Sequence, residues 1–337
     1  MNGGDLQIPF RHRQAAHCES GTIANLLSWA GLEISEALAF GIGGGLFFGY
    51  FPFVRINRLP LVTFRKAPGA IFKKVVRRLG VNFEVRKFRD PEESMAALDA
   101  ILERGIPVGV QTGVFWLPYF PPALRFHFNA HNLVVMGREG GDYLVSDPLF
   151  DVILRCPRRD LMTARFAKGA LAPQGRMYYL EKVPERVDLA GAVRSGLGEV
   201  VRVMLSIPLP IIGIRGIRFL ARQLEGWPAR LGERKTVLYL GHVIRMQEEI
   251  GTGGAGFRFI FGAFLQEAAE LLDNPRLAER SREATEVGDR WRDFALQGAR
   301  FCKGRDDGAS SPQRLAALLR GCADGEERLF RGLRGDL

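Results

Sequence analysis

The sequence predicts an α+β fold whose N-terminal part contains an antiparallel sheet. Residues 18–30 carry apolar side chains at helical spacing, and Gly31 follows as a stop signal. Residues 130–148 contain two apolar runs joined by a Gly-Gly turn, which is the pattern of a β-hairpin. Helical periodicity replaces these strand-like runs after Pro184. We therefore expect a sheet-containing domain followed by a mainly helical one.

The predicted boundary divides the chain into an N-terminal domain at 1–183 and a helical C-terminal domain at 184–337. The tail after about residue 304 is expected to be loosely ordered, since it is rich in charge and glycine. The elements predicted for the first domain are, in order, a helix at 18–30, a short helical piece and a glycine-rich loop up to 51, an amphipathic helix at 70–79, a strand at 81–88, a helix at 91–105, a central strand at 106–113, the hairpin at 130–148, a helix at 158–166 and a strand at 175–183.

Composition excludes several classes of protein. The chain has 337 residues, 47% apolar content and four cysteines without any C-x-x-C pair, which argues against a zinc site or a disulfide framework. The N-terminus lacks the apolar core of a signal peptide. Two apolar stretches, 37–54 and 201–220, are interrupted by glycine, proline or arginine, so neither predicts a membrane span. We expect a cytoplasmic protein without a metal.

Basic residues are concentrated in one run. The net charge is +10, and residues 65–89 hold nine basic side chains against the single acid Glu84. On the helix at 70–79, four of them point away from the apolar face and predict a docking surface for an acidic partner: Lys73, Lys74, Arg77 and Arg78. The alternative is a solvated helix surface. Nucleic acid is a poorer candidate, because few stacking aromatics interrupt the run.

Cys18 stands at the start of the first helix, which is where a nucleophilic thiol is expected. The unpaired N–H groups and the dipole of a helix N-terminus favour a thiolate. A catalytic thiol also needs a base and a group that orients the base. The chain contains only five histidines, so the search for the base is short.

His131 and Asp147 are the predicted partners of Cys18. The hairpin turn centres near 139–141, so His131 at the beginning of one strand lies close to Asp147 at the end of the other. Asp147 can then accept a hydrogen bond from one ring nitrogen and leave the other for the thiol. The alternative is that Asp147 only initiates the turn in Ser-Asp-Pro. Taken together, the three residues predict a catalytic triad.

Other groups are weaker candidates for the site. Gln14 is a candidate oxyanion donor together with the backbone N–H of Cys18, although an exposed linker residue is the alternative. His17 is treated as positional only. The glycine-rich loop at 251–256 fits G-x-G-x-x-G but does not follow a strand, so a dinucleotide site is not expected, and the loop at 41–45 either allows a close backbone approach near the site or simply turns the chain. The candidates in and beside these loops for binding a substrate or a phosphate-bearing arm of it are Gly43, Gly44, Glu249, Gly253, Gly254 and Arg258.

The segment at 17–51, "HCESGTIANLLSWAGLEISEALAFGIGGGLFFGYF", resembles the opening of the butirosin-biosynthesis protein H family. The later "GIRGIRFLARQLEGWP" and "QEEIGTGGAGFRFIFGAFLQEAAELL" resemble the helical domain that accompanies it. The resemblance implies a papain-like fold that transfers an acyl group from a carrier-protein thioester to an amine. The N-terminal segment also resembles that of cysteine peptidases that remove double-glycine leaders, but those enzymes carry a helper glutamine where this chain has His12.

We therefore expect an acyltransferase that forms an acyl-enzyme on Cys18. Its donor would be a phosphopantetheine-linked thioester on an acyl carrier protein or on coenzyme A, its acceptor an amine or alcohol, and no cofactor would be tightly bound. One alternative is a cysteine hydrolase (thioesterase, amidase or peptidase) with the same triad. A second is a non-catalytic binding module. Whether the chain forms a homo-oligomer is left open by the sequence.

Overall fold

A computed structural model describes residues 5–56, 58–305 and 311–337. Its elements up to residue 182 are β1 (Leu6–Gln7), α1 (Cys18–Trp29), α2 (Glu36–Ile42), β2 (Leu46–Ile56), β3 (Leu59–Arg65), α3 (Ala70–Leu79), β4 (Asn82–Arg86), α4 (Pro91–Leu102), β5 (Val108–Thr112), β6 (His131–Glu139), β7 (Asp142–Ser146), β8 (Leu154–Pro157), α5 (Arg158–Arg165) and β9 (Met177–Lys182). Those that follow are α6 (Leu189–Ser206), α7 (Gly213–Leu231), α8 (Glu233–Glu248), α9 (Arg258–Leu271), α10 (Pro275–Cys302) and α11 (Pro312–Asp336). Short 3₁₀ turns occur at Val114–Trp116, Pro122–Leu124 and Ala255–Phe257.

The chain divides into two compact units. The first unit comprises Met1–Ala39 and Phe72–Asp188, and the second comprises Phe40–Ile71 and Leu189–Leu337. The two units meet at 188/189, and residues 40–71 group with the C-terminal helices instead of with the N-terminal sheet, whereas the sequence predicted two continuous domains divided at 183/184.

The first unit is built on an antiparallel sheet. Its strand order is β4-β9-β5-β6-β7-β8, and β1 pairs with the far end of β6. The predicted hairpin is present as β6 and β7, with Glu139 opposite Asp142 at the turn and Val134 opposite Ser146 near the open end. The strand predicted to be central, β5, lies between β9 and β6. The predicted α+β class, with a mainly helical C-terminal region, is confirmed.

The core of the first unit lies between the sheet and helix α4. Leu98 and Leu102 on α4 are completely buried, as are Val110 on β5 and Leu133 on β6. The apolar positions of α4 recur at helical spacing, whereas those of the strands alternate, so both sets face the same interior. Each fully buried side chain of this size contributes about 1.5–3 kcal/mol to stability.

A strand pair in the second unit replaces the predicted glycine-rich loop. β2 and β3 form a two-stranded antiparallel sheet, in which Phe48 and Phe64 lie 5.9 and 5.5 Å from the ring of Trp291 on α10. The prediction was wrong here because glycines obscured the strand pattern. A Cβ at Gly49 in β2 would lie 2.5 Å from the ring of Phe51, so a larger residue there would have to displace that ring. These aromatic contacts explain why residues 40–71 belong with the helices.

The C-terminal segment is ordered, in contrast to the loosely ordered tail predicted after about residue 304. Residues 306–310 lie outside the described residues, and α11 begins directly beyond them. Ser311 caps this helix by accepting a hydrogen bond from the backbone N–H of Arg314. Leu319 and Phe330 are fully buried, so α11 contributes to the core of the second unit. Across the described ranges, none of the helices is both long enough and apolar enough to cross a membrane.

Candidate active site

Cys18 is the first residue of helix α1 and is 7% exposed. His17 caps the helix: its Nδ1 lies 3.4 Å from the backbone N of Ser20 and 2.8 Å from the Ser20 hydroxyl oxygen. His17 thus has the positional role that the sequence predicted, because its ring points back to the first turn. The first N–H groups of a helix have no acceptor within the helix, so the helix dipole and these donors favour negative charge at Cys18.

Two carboxylates fix the chain around Cys18. Glu36, at the start of α2, accepts hydrogen bonds from the backbone N–H groups of Ala16 and His17 at 3.0 and 2.6 Å. Burial raises the pKa of Glu36, and these two hydrogen bonds offset part of that rise. Glu19 is buried and accepts a hydrogen bond from the backbone N–H of Phe72 in α3 at 3.0 Å. The chain is therefore held by a carboxyl group both before and after Cys18.

His131 and Asp147 meet at the open end of the β6–β7 hairpin. His131 is the first residue of β6, and its Nε2 lies 2.7 Å from Oδ2 of Asp147, which follows β7. Both side chains are almost completely buried. The ring of Phe120 packs edge-on against the imidazole at 5.6 Å between centroids. The imidazole is thereby fixed with Nδ1 left over, which is the nitrogen available to a thiol.

Charge at this pair is strongly perturbed. Burial by itself lowers the pKa of His131. The charge of Asp147, its hydrogen bond to the ring and the adjacent side chain of Cys18 outweigh burial and raise the pKa to about 10. The charge of Asp147 thus favours the imidazolium form of His131, and the side chain of Cys18 adjoins the same ring. A cation beside a sulfur favours the thiolate. The structure thus brings together the three residues that the sequence predicted as a triad.

Asp147 accepts further hydrogen bonds that the sequence did not reveal. The hydroxyl of Tyr119 donates to Oδ2 at 2.9 Å, and the backbone N–H of Leu149 donates to Oδ1 at 3.1 Å. Burial raises the pKa of Tyr119 and the charge of Asp147 raises it further, so this phenol stays a donor. Tyr119 lies in the long connection between β5 and β6, where no periodic pattern indicates its role.

His12 and Gln14 have different surroundings. The ring nitrogens of His12 lie 2.7 Å from the hydroxyl oxygen of Ser146 and 3.0 Å from the carbonyl oxygen of Phe150, on either side of Asp147. Both nitrogens are thus engaged in holding the chain beside Asp147. Gln14 is exposed, whereas Cys18, His131 and Asp147 are buried, and its role as an oxyanion donor stays a prediction.

The prediction that Arg258 binds a phosphate is wrong. Arg258 is 1% exposed, and its guanidinium donates to Glu326 Oε1 at 2.8 Å and to the carbonyl oxygen of Gly256 at 2.7 Å. Its hydrogen-bonding capacity is therefore directed at a buried carboxylate. In the glycine-rich loop beside Arg258, the N–H of Gly254 also has a partner within the protein, since it donates to the Thr252 hydroxyl at 3.0 Å.

The remaining predicted binding residues of the second unit have ordinary structural surroundings. Glu249 is exposed and lies 3.5 Å from Arg245 on the surface of α8, as expected for a solvated helix end. Gly43 and Gly44 form the turn between α2 and β2, where Gly44 has φ 59°. Gly253 is exposed and has φ 65°. Their predicted contact with a substrate stays a prediction.

Helix α3 carries the basic surface proposed for docking. Lys73 and Arg77 are exposed, whereas Lys74 and Arg78 are half-buried. The opposite face of the helix packs inward through Val75 and other apolar residues, which is the arrangement that the hydrophobic pattern predicts. Nothing in this arrangement distinguishes a docking surface from a solvated one, so docking stays a prediction.

Two family models match parts of this chain. Residues 17–148 match the family described as butirosin biosynthesis protein H, N-terminal, and this range contains Cys18, His131 and Asp147. A solved structure of a protein from Bacillus anthracis, described as a C39-like peptidase, aligns with 53% of this chain and 98% of its own at 18% identity and a TM-score of 0.37. The search of curated protein sequences found no match. Residues 159–333, just over half of the chain, match the family described as Domain of unknown function (DUF4872), so the chain belongs to that family.

Proposed function

We propose that the protein is an acyltransferase that uses Cys18 as its nucleophile. The observation that carries the proposal is the buried constellation of Cys18, His131 and Asp147, in which the pKa of His131 is raised to about 10. A buried imidazolium beside a thiol, oriented by a carboxylate, is the arrangement by which cysteine enzymes activate their nucleophile. The match to the butirosin biosynthesis protein H domain supports a role in biosynthesis.

The first half of the reaction forms an acyl-enzyme. The Cys18 thiolate attacks the carbonyl carbon of a thioester, and the backbone N–H of Cys18 at the start of α1 stabilises the oxyanion. When the tetrahedral intermediate collapses, the carbon–sulfur bond to the donor breaks and His131 gives its proton to the departing thiolate. The products are a thioester on Cys18, a free donor thiol and a neutral imidazole. One thioester replaces another, so this half needs no external energy.

The second half transfers the acyl group to the acceptor. An amine attacks the Cys18 thioester while the neutral imidazole of His131 takes its proton. The intermediate then expels the Cys18 thiolate, which regenerates the original ion pair with His131. Asp147 keeps the imidazole oriented in both halves through the 2.7 Å contact with Nε2. An alcohol acceptor follows the same sequence of steps.

Burial of the triad supports transfer over hydrolysis. Cys18 is 7% exposed and His131 is 1% exposed, so bulk water has little access to the acyl-enzyme. A nucleophile at this depth also suits a donor in which the acyl group is carried on a narrow arm, such as phosphopantetheine on an acidic carrier protein or in coenzyme A. The basic surface of α3, defined by Lys73, Lys74, Arg77 and Arg78, would attract such a carrier protein.

The test is the intact mass of the protein after incubation with a panel of acyl-carrier-protein and coenzyme A thioesters. We expect a mass increase equal to the acyl group, which is lost in Cys18→Ala and retained in Cys156→Ala. Cys156 is a matched control, because it is buried in the same unit and burial raises the pKa of its thiol to about 12. Transfer is then measured by adding amines. Rapid loss of the adduct to water without an amine would indicate a hydrolase, and no adduct with any thioester would refute the proposal.

A further inference from the structure

A basic cavity in the first unit lies outside the triad. It has a volume of about 620 Å³, and its lining includes Lys87, Arg89 and Lys168 together with the rings of Phe88 and Phe166. All three cationic side chains belong to exposed residues. Lys87 Nζ donates to the side-chain oxygen of Gln174 at 3.1 Å, which lines the same cavity.

The positive charge in this cavity is not compensated locally. Within the described residues, no carboxylate lies within ion-pair distance of Lys87, Arg89 or Lys168. The nearest carboxylate along the chain, Asp90, caps helix α4 by accepting from the backbone N–H of Glu93. An excess of cations around a concave surface attracts anions and strengthens their binding.

A further cation lies at the base of the loop that forms one wall of the cavity. Arg165 is fully buried, and its guanidinium donates to the carbonyl oxygen of Gly175 at 3.2 Å and to the Ser94 hydroxyl at 2.7 Å. The N–H of Gly175 in turn donates to the carbonyl oxygen of Arg165 at 2.9 Å. Burial lowers the pKa of Arg165 to about 10, so it remains charged at neutral pH. The loop at 166–174 is thus closed at both ends by one cation.

The middle of this loop is tied to the strands that hold the catalytic histidine. Asn129 Nδ2 donates to the carbonyl oxygens of Lys168 and Ala170 at 3.1 and 3.0 Å. Gln111 Nε2 donates to the carbonyl oxygen of Leu171 at 3.2 Å. Asn129 stands two residues before His131 in the chain, and Gln111 on β5 is paired with the residue after His131. The cavity wall and the triad therefore share one support.

The loop is also held in an unfavourable backbone conformation. Leu171 and Gln174 have φ values of 59° and 54°, in the left-handed region that residues other than glycine rarely adopt. Such conformations cost free energy and persist where the surrounding contacts enforce them, often at binding sites. Side-chain hydrogen bonds from Asn129, Gln111 and Arg165 hold carbonyl oxygens within this loop and at its end.

We infer that this cavity binds the phosphate of a phosphorylated pantetheine arm on the acyl donor, an inference that rests on the proposed acyl transfer from such a donor. Lys87, Arg89 and Lys168 would contact the phosphate oxygens, and Phe88 and Phe166 would contact the apolar part of the arm. The cavity takes the role that the sequence assigned to Arg258, which is committed to Glu326. Coenzyme A and a carrier protein both present this phosphate.

The experiment compares two donors that differ only in the phosphate. The rate of Cys18 acylation is measured with a pantetheine thioester and with the 4′-phosphopantetheine thioester of the same acyl group. We expect the phosphorylated donor to react at least about tenfold faster, since a hydrogen bond to a charged group is worth more than a factor of ten. In Lys168→Glu and Arg89→Glu the ratio of the two rates should fall to about one. Lys182→Glu, an exposed charge reversal on β9, should keep the wild-type ratio.

Further measurements distinguish coenzyme A from a carrier protein as the donor, and distinguish the phosphate site from the proposed acyl transfer. Acylation by the coenzyme A thioester and by the loaded carrier protein shows which source the site prefers, and both should lose rate in Lys168→Glu. A ratio near one in the wild-type protein, with acylation intact, would overturn the inference and leave the proposed function standing. If no donor acylates Cys18, calorimetric titration with free phosphopantetheine and pantetheine decides: tighter binding of the phosphorylated compound, lost in Lys168→Glu, would keep the phosphate site, and equal binding would overturn it.

Discussion

Replacement of Asp147 by asparagine tests the charge that activates Cys18. Burial lowers the pKa of His131, but the charge and the hydrogen bond of Asp147 outweigh this effect and raise the pKa from 6.5 to about 10. At 1.36 kcal/mol for each pKa unit, this corresponds to a preference for the imidazolium on the order of 5 kcal/mol. In Asp147→Asn the charge is lost, and the asparagine amide group would have to face donors, since Tyr119 and Leu149 both donate to this side chain. We expect a neutral His131 at pH 7 and hence a neutral thiol.

The assay is the rate of Cys18 alkylation by iodoacetamide between pH 5 and 10, followed by intact mass. The wild-type rate should vary less with pH around neutrality than that of Asp147→Asn, because a cation at His131 favours the reactive thiolate form of the adjacent sulfur. In Asp147→Asn this cation is lost, so the rate at pH 7 should fall roughly tenfold or more and should rise more steeply as the pH increases.

The control is Asp151→Asn, the same change at an exposed residue four positions further on. It should leave the alkylation profile unaltered. Wild-type rates and a flat profile in Asp147→Asn would refute the assignment of Asp147 as the group that holds the charge on His131. Should Asp147→Asn fail to fold, His131→Gln provides the same test, because it removes the imidazolium itself.

Three further predictions concern stability. The pKa of His131 is raised above its unfolded value of 6.5, so its contribution to the free energy of unfolding is complete below about pH 6.5 and is lost as the pH rises through about 10. Urea unfolding at increasing pH should show this decline in stability, and His131→Gln should flatten it. Tyr119→Phe removes a hydrogen bond to the Asp147 carboxylate and should lower the free energy of unfolding by about 1.5–3 kcal/mol in urea. Arg258→Met leaves the buried Glu326 without its cation, with the indole N–H of Trp291 still donating to it, and should cost about 3–5 kcal/mol by calorimetry, partly recovered when Glu326→Leu is added; additive effects would contradict the pairing.

The fold of the first unit was accessible from the sequence because its elements are regular. The hairpin at 130–148 consists of two apolar runs joined by a Gly-Gly turn, and this turn places His131 near Asp147 at the open end. Helix α1 has a clear start and a glycine with φ 85° after its end. Local rules determine such features, and a single sequence contains the information that they require.

The features that the sequence did not reveal depend on contacts between distant segments. Tyr119 reaches Asp147 from a loop 28 residues away, and neither residue type nor spacing indicates it. Arg258 looked like an anion ligand beside a glycine-rich loop, but Glu326, 68 residues later, occupies its guanidinium. The strand β2 was obscured by its glycines. In each case the deciding partner is distant in the chain and has no pattern of its own.

The arrangement around the start of α1 also places two carboxyl groups beside the segment that carries Cys18. Glu36 accepts hydrogen bonds from the N–H groups of Ala16 and His17, and Glu19 accepts one from the N–H of Phe72, so each carboxyl group is directed at backbone donors. In the proposed reaction, the backbone N–H of Cys18 would bind the oxyanion. Because charged acceptors hold the preceding loop, the thiol approaches His131 in a fixed geometry, and little reorganisation is needed when charge moves from sulfur to the carbonyl oxygen during the reaction.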